Sequence, residues 1–319
     1  MTIHYHRELS ATHCILDVRS PAEFAAGHVP GAVNMPLFSN EERAEVGTLY
    51  VQVGREAAIE RGLQCVGPKL ATLVHEAREH AAGKPIVVYC WRGGMRSQSV
   101  AWLLQTAGMD VQTLHRGYKG FRTVVLATLN LPWKLLVLVG PTGSGKTTLL
   151  REKAARGEQV LDLESIANHK GSAFGALGED AQPSTEHAMN MMYDVLTSFD
   201  IARTVWVEDE SRMIGTVCVP DAIYDAMQQA HYEEVVVSRE QRIENLVREY
   251  GAFTADELIA SFDRIRKKLG GERYAAAVAA LRSNDLRAAV DLALAYYDRT
   301  YEHCLRLRAT NALRTAKTP

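Results

Sequence analysis

Long hydrophobic runs are missing from this 319-residue chain. No apolar stretch approaches the roughly 20 residues that a bilayer-spanning helix needs, so no membrane partner is expected. Cysteine is scarce: the five present are scattered and odd in number, which argues against a disulfide framework. The opening Met1-Thr2-Ile3-His4-Tyr5-His6 has no apolar core of the kind a secretory leader carries. A cytoplasmic location is therefore the expectation. Low-complexity tracts and internal repeats are also lacking, which excludes linker-like and solenoid architectures. Nor is there a large excess of charge. Thirty-six Lys+Arg against 38 Asp+Glu give a net charge of −2, so the chain as a whole is not a basic nucleic-acid binder. What remains is ordinary for a globular protein, 47% hydrophobic and 23% charged, with a length that favours two domains.

Against that background one stretch stands out, Cys90-Trp91-Arg92-Gly93-Gly94-Met95-Arg96-Ser97. It follows the apolar run Ile86-Val87-Val88-Tyr89, which reads as a short buried strand, and precedes a helical pattern from Ser97 to Leu104. A cysteine at a strand end, followed by a glycine-bearing loop that winds into a helix N-terminus, suits anion chemistry. The loop N–H groups form a concave nest and the helix dipole adds positive potential. Both favour thiolate over thiol, so Cys90 is expected to have a lowered pKa and to act as a nucleophile. Arg92 and Arg96 supply fixed positive charge for an anionic substrate. A structural cysteine needs none of these neighbours.

Upstream, His13 to Arg19 reads as a strand ending in charge. Ser20-Pro21-Ala22-Glu23-Phe24 then reads as a helix start, with Ser20 as cap and proline at the first helical position. The loop Gly27-His28-Val29-Pro30-Gly31-Ala32-Val33-Asn34 follows. This string resembles the N-terminal signature of rhodanese domains, and the Cys90 loop lies where that family keeps its persulfide-carrying cysteine. Asp17 and Arg19 read as loop ties, and His28 as a satisfied loop histidine. The Cys90–Arg96 spacing is C-x5-R, one residue longer than in many rhodanese loops and shared with cysteine-dependent phosphatases. A phosphate-sized tetrahedral anion is the expected guest. The charged stretch from Glu41 to about Arg61 is helical in propensity and longer than a minimal rhodanese needs, so it reads as a lid or a domain contact. Alternating strands and helices imply an α/β domain with a largely parallel sheet over residues 1–129.

Asn130-Leu131-Pro132 reads as a linker. Beyond it, Lys134 to Val139 forms a buried strand leading into Gly140-Pro141-Thr142-Gly143-Ser144-Gly145-Lys146-Thr147 and a helix. This G-x-x-x-x-G-K-T in its strand–loop–helix context is a P-loop. Its N–H groups wrap a diphosphate, Lys146 neutralises it, and Thr147 is suited to hold a magnesium ion. Glu208 and Asp209, at the end of the strand Val205-Trp206-Val207-Glu208-Asp209-Glu210, are candidates for a second carboxylate on that metal; Asp162 and Glu164 compete for the role. The polar, glycine-bearing Asn168-His169-Lys170-Gly171-Ser172-Ala173-Phe174-Gly175 reads as a substrate loop, and Glu210 to Gly215 as pocket lining. Residues 130–238 are expected to form this P-loop α/β domain.

From Arg239 to residue 319 the pattern is helical, with breaks at Gly251 and Gly270-Gly271. This region carries 15 Lys+Arg against 11 Asp+Glu, whereas the preceding residues carry 21 against 27. A local basic excess fits nucleic-acid phosphates or simply solvated helices, with Arg242, Arg248, Arg264, Arg266, Lys267 and Lys268 as candidate phosphate contacts. Tyr296, Tyr297 and Tyr301 have helical spacing and read as packing residues.

The Cys90 loop, the P-loop, the A-N-H-K-G-S-A-F-G string and the W-V-E-D-E-S-R-M-I-G string after Val205 occur in this order over essentially the full length. Together they resemble the tRNA 2-selenouridine synthase family. The resemblance implies replacement of sulfur by selenium in a wobble 2-thiouridine, with selenophosphate as donor and geranyl diphosphate used to make an S-geranyl intermediate. It also implies that Cys90 is the functional cysteine, that Gly140 to Thr147 bind phosphate, and that no cofactor is tightly held. Phe174 and Met213 are available as apolar walls. Three other readings are open on the residues alone: an ATP-dependent tRNA sulfurtransferase using a Cys90 persulfide, a cysteine phosphatase fused to a nucleotide-binding module, and a non-enzymatic tRNA-binding protein.

Overall fold

The computed structural model describes residues 2–315, with side chains through Glu302. The chain divides into two compact units, Met1–Leu129 with Glu186–Thr197 and Asn130–Thr185 with Ser198–Pro319.

The first unit is an α/β layer structure. Its strands are β1 (Thr2–Ile3), β2 (Cys14–Asp17), β3 (Ala32–Asn34), β4 (Ile86–Tyr89) and β5 (Val111–Leu114). They form one parallel sheet in the order β1-β5-β4-β2-β3, with Leu16 opposite Val88 and Val88 opposite Thr113. β2 and β4 are buried along their whole length, as central parallel strands covered on both faces must be. The covering helices are α1 (Leu9–Thr12), α2 (Pro21–Ala26), α3 (Asn40–Gln52), α4 (Arg55–Val66), α5 (Leu70–Ala81), α6 (Met95–Thr106) and α7 (Gly117–Leu129). Leu73 and Ala77 of α5 and Val100 and Leu104 of α6 fill the core beside Leu16 and Val88. α2 starts as its sequence dictates: the Ser20 hydroxyl accepts from the Glu23 N–H, the Glu23 carboxylate accepts from the Ser20 N–H, and Pro21 opens the helix. α6 begins at Met95, two residues before the expected start. Gly93 turns at φ +70 and lets the helix begin directly after Gly94.

The second unit holds β6 (Leu135–Val139), β7 (Gln159–Leu161), β8 (Val205–Glu208) and β11 (His231–Glu234), paired in parallel in the order β11-β6-β8-β7. A short antiparallel ribbon, β9 (Met213–Ile214) with β10 (Val217–Cys218), follows β8. Its helices are α8 (Lys146–Ala155), α9 (Leu163–Ala167), α11 (Asp221–Gln229), α12 (Arg239–Tyr250), α13 (Ala255–Leu269), α14 (Gly271–Arg282) and α15 (Leu286–Thr315); α10 (Thr185–Leu196) lies between α9 and β8 in the chain. α12 to α15 share a hydrophobic cluster of Leu246, Tyr250, Phe262, Ile265 and Leu294, among others, and Phe174 from the loop after α9 inserts into it. Tyr296 and Tyr297 pack against the same cluster. Residues 316–319 of the expected C-terminal region lie outside the described residues.

α10 belongs by its packing to the first unit, although it lies in the sequence between segments of the second. Its Glu186 accepts from the Tyr118 hydroxyl at 2.8 Å, its Asn190 bonds the His28 carbonyl at 2.8 Å, and Tyr193 meets Phe121 edge-on. The chain therefore crosses between the units three times, after residues 129, 185 and 197. No helix among the described residues is long and apolar enough to cross a membrane.

Candidate functional sites

In the first unit Cys90 stands directly after β4 and is 3% exposed. Its Sγ lies 3.3 Å from the Ser97 hydroxyl and 3.9 Å from the Gly94 carbonyl oxygen. Ser97 is itself fully buried, so the thiol sits on a polar partner at the first turn of α6. The loop is clamped from its far side by the start of α7. The Tyr118 N–H donates to the Cys90 carbonyl at 2.9 Å and the Lys119 N–H to the Trp91 carbonyl at 2.8 Å. Gly117 makes that clamp possible, because at φ +58 an added Cβ would meet the Cys90 carbonyl oxygen at 2.3 Å and the Gly93 nitrogen at 2.5 Å. Trp91, Arg92 and Met95 are exposed, while Gly93 and Gly94 are half-buried.

Arg96 is brought to the loop but not left free. Its guanidinium holds the Glu23 carboxylate at 2.7 and 3.2 Å, and Arg43 approaches the same carboxylate at 3.6 Å. Burial works to raise the Glu23 pKa, but the Arg96 hydrogen bonds and charge, the Ser20 N–H and Arg43 together hold it below its ordinary value. Glu23 thus does two jobs, closing the α2 cap and tying the first signature to the cysteine loop. Sequence reasoning gave it only a place at the start of a helix. The signal was available in the capping-box spacing, which fixes where its carboxylate points. Asp17 and Arg19 form a buried bidentate pair, and Arg19 also donates to the Gly27 carbonyl at 2.7 Å, so they tie loops together. His28 is satisfied by the Phe24 carbonyl at 3.0 Å.

In the second unit β6 runs into the P-loop and α8 begins at Lys146. Gly143 and Gly145 both turn at positive φ, +81 and +82. The Pro141 carbonyl accepts the Ser144 N–H at 3.1 Å, and Gly140 is packed so closely that an added Cβ would lie 2.7 Å from the Ser144 hydroxyl. Lys146 Nζ donates to the Gly140 carbonyl at 2.9 Å, folding back over the loop as a phosphate-binding lysine does. The buried Ser144 hydroxyl has no hydrogen-bond partner.

Beside the loop, Glu164, Glu208 and Glu210 each present a carboxylate oxygen within 4.8 Å of the others. The Thr147 hydroxyl donates to Glu164 at 3.2 Å. Burial, followed by the charges of Glu208 and Glu210, pushes the Glu164 carboxyl up to about 9. Burial and Glu208 push Glu210 to about 7, and burial raises Glu208. Glu208 is 2% exposed and its Oε1 has no hydrogen-bond partner. One buried and two half-buried acids, with an orphaned oxygen on Glu208 and a P-loop threonine beside them, fit a hard divalent cation. The two acidic pairs that compete in the sequence thus contribute one member each, Glu208 and Glu164. Asp162 caps α9 instead, accepting from the Ser165 N–H at 2.9 Å, while Asp209 N–H donates to the Leu138 carbonyl. Gly171 explains how the loop after α9 reaches this cluster: at φ +66, an added Cβ would strike the Glu210 carboxylate at 2.6 Å.

Phe174 lies in the helical core and lines, with Thr142, a cavity of about 40 Å³. Met213 is exposed on β9. Of the basic residues expected to meet tRNA, Arg248, Lys267 and Lys268 are exposed on α12 and at the end of α13. Arg242 is not. It is buried under the P-loop, donating to the Thr142 carbonyl at 2.8 Å and pairing with Asp298. Asn245 repeats the support one turn on, donating to the Gly143 carbonyl at 2.9 Å. Arg242 is therefore a buttress of the phosphate loop and not a nucleic-acid contact; charge alone in the sequence could not distinguish an arginine on the buried face of α12 from one on its outer face.

Comparison with known proteins follows the same division. Residues 2–123 match the rhodanese-like domain family, and residues 133–318 match the family described as the tRNA 2-selenouridine synthase AAA domain. The chain is 38% identical over 288 residues to a tRNA 2-selenouridine synthase of Pseudomonas syringae pv. tomato, covering 82% of this chain and 76% of that one. It is 39% identical over 288 residues to the enzyme of the same name from Cupriavidus necator, with the same coverage. A third, from Shewanella denitrificans, is 34% identical over 339 residues and covers 94% and 90%. With both domain families matched in order and relatives this similar along most of their length, the chain belongs to the tRNA 2-selenouridine synthase family.

Proposed function

We propose that this chain is a cytoplasmic tRNA-modifying transferase that converts wobble 2-thiouridine to 2-selenouridine in two steps, using geranyl diphosphate and then selenophosphate. The observation that carries the reading is the presence of two chemically different anion cradles, a buried thiol loop in one unit and a lysine–carboxylate P-loop in the other. In the first step the thione sulfur attacks the first carbon of the geranyl chain. The carbon–oxygen bond breaks, its electron pair leaves with diphosphate, and N3 of the base loses its proton. The residues from Gly140 to Thr147 grip the diphosphate, and Lys146 neutralises the charge that grows on the leaving oxygen. Thr147, Glu164, Glu208 and Glu210 are the residues that would hold a magnesium ion, which would supply further charge neutralisation. In the second step selenium from selenophosphate bonds to C2 and the C2–sulfur bond breaks, releasing geranylthiol. Water takes up the phosphoryl group as phosphate, and protons return to N3 and to the thiol. Cys90 handles the selenium donor, with Arg92 and the turn from Gly93 to Met95 around it. Exposed Arg248, Lys267 and Lys268 offer the tRNA phosphates a landing surface.

Arg96 weighs against the phosphatase reading of the C-x5-R spacing, since it is engaged by Glu23 and not free to clamp an oxyanion. The test is direct. Purified protein is incubated with 2-thiouridine-containing tRNA, geranyl diphosphate and selenophosphate, and the digested nucleosides are weighed. Geranylated and selenated nucleosides should form. Lys146→Ala should lose the first, and Cys90→Ala should make the first but not the second. Absence of both products from the unaltered protein, with ATP-dependent thiolation in their place, overturns the proposal.

A further inference from the structure

The first unit contains a chamber that neither the cysteine loop nor the P-loop accounts for. Its volume is about 820 Å³, inside the range of roughly 300–1,000 Å³ that small-molecule pockets occupy. Its lining is overwhelmingly apolar. α3 and α4 form one wall, contributing Val46, Tyr50, Val51 and Leu63; Met95 and Trp102 of α6 stand opposite. These two helices are the segment that exceeds a minimal rhodanese in length. α3 is 13 residues long and buries none of them, yet it presents Tyr50 at 60% and Val51 at 83% exposure. Trp102 is 66% exposed. Large apolar side chains held apart around an open cavity are the mark of a site for an apolar ligand.

Two further features narrow the ligand. The chamber reaches the cysteine loop: Met95 and Arg96 line it, and Leu37, Phe38, Leu73 and Val100 of its lining belong to the core cluster that also contains Cys90. Its polar lining is basic, with Arg43, Arg55 and Arg96 as the charged residues. An extended hydrocarbon with a polar head at the cysteine-loop end satisfies both features, since Arg43 and Arg96 are already turned to Glu23. In the second unit, by contrast, the apolar cavity lined by Thr142 and Phe174 holds about 40 Å³, room for a few waters at most.

We infer that this chamber binds the ten-carbon prenyl chain of the S-geranyl-thiouridine intermediate and so presents its C2–sulfur bond to the Cys90 loop. The identity of the chain rests on the function proposed above; the binding of a hydrocarbon chain by the chamber does not. The P-loop then handles the prenyl donor's head, and the rhodanese-like unit handles its tail after transfer. Leaving-group recognition by the chamber also gives selenation a preference for geranylated over unmodified thiouridine.

The full-length protein tests this with two probes, S-geranyl-2-thiouridine 5′-monophosphate and its S-methyl analogue, whose affinities are measured by equilibrium dialysis. Tyr50→Asp and Val51→Asp place charge on the chamber wall at exposed positions, where folding tolerates it. Circular dichroism melts check that it does. The geranyl probe should bind the unaltered protein at least tenfold more tightly than the methyl probe, and each variant should erase most of that ratio. In single turnover from pre-geranylated tRNA, selenation by the variants should slow at least tenfold. Equal ratios in variant and unaltered protein overturn the assignment, even if the unaltered protein both geranylates and selenates. Selective binding of the geranyl probe that the variants abolish, in a protein that makes neither product, upholds a hydrocarbon-chain site and overturns the proposed reaction instead.

Discussion

The two anion cradles are built on the same local plan, a buried parallel strand, a glycine-bearing turn and a helix N-terminus, yet they are electrically opposite. At the cysteine loop, two arginines converge on one glutamate, leaving a positive balance around the thiol. At the P-loop, one lysine faces three clustered carboxyls whose ionisation burial and mutual repulsion oppose and a cation would favour. Backbone N–H groups and the helix dipole supply the anion affinity in both. What differs is the side-chain charge set against them: arginines at the first cradle, and at the second a carboxyl cluster that fits a divalent cation.

The largest effects should come from removing the one group at each cradle that the other lacks. Cys90→Ala is expected to abolish selenium incorporation while leaving geranylation, whereas Lys146→Ala should cut geranylation by about a hundredfold or more, both read by nucleoside mass. If either substitution stops both steps equally, the two cradles do not work independently. Next comes the support beneath the P-loop. Arg242→Ala leaves the Thr142 carbonyl without its buried donor and Asp298 with Arg239 alone, and should cost about 1–3 kcal/mol in denaturant unfolding. Diphosphate affinity should fall with it, while the reactivity of Cys90 toward iodoacetamide stays as it was.

Gly117→Ala probes the corresponding support of the cysteine loop, where a Cβ cannot fit against the Cys90 carbonyl. A loss of about 1–3 kcal/mol is expected, confined to the first unit and visible as local hydrogen exchange in residues 90–96. The smallest effect belongs to Glu23. Its carboxyl is held below the ordinary 4.5, so its ionised form stabilises the fold above that pH, and this stabilisation is lost as pH falls through the lowered value. Glu23→Gln should therefore be about 1 kcal/mol less stable at pH 7 and should lose less stability on acidification than the unaltered protein. Parallel acid limbs in thermal melts would show that the Arg96–Glu23 pair does not contribute.

How much of this was legible beforehand differs between the cradles. Both loops and the capping of α2 by Ser20 follow from local pattern, because glycine spacing, caps and apolar runs act over a few residues. Glu210 was visible as one of three acids after β8, but its partnership with Glu164 was not, since the two meet only when the loop carrying Gly171 folds beside β8. α10 returned to the first unit against its place in the sequence, drawn by Glu186, Asn190 and Tyr193 onto α7, and nothing in its own periodicity names that target.

The sequence by itself determined the strand–loop–helix cradles and the chemical types of group they carry, because those depend on residue order and on backbone conformations only certain residues adopt. The tertiary structure alone decided which charges face each cradle and where space is enclosed: that Arg96 is held by Glu23, that Arg242 is buried under the phosphate loop, and that α3 and α4 line an apolar chamber with Met95 and Arg96. The reason is physical. Charge balance and enclosed volume are properties of groups far apart in the chain, and they are fixed only when burial forces each group to find its partner.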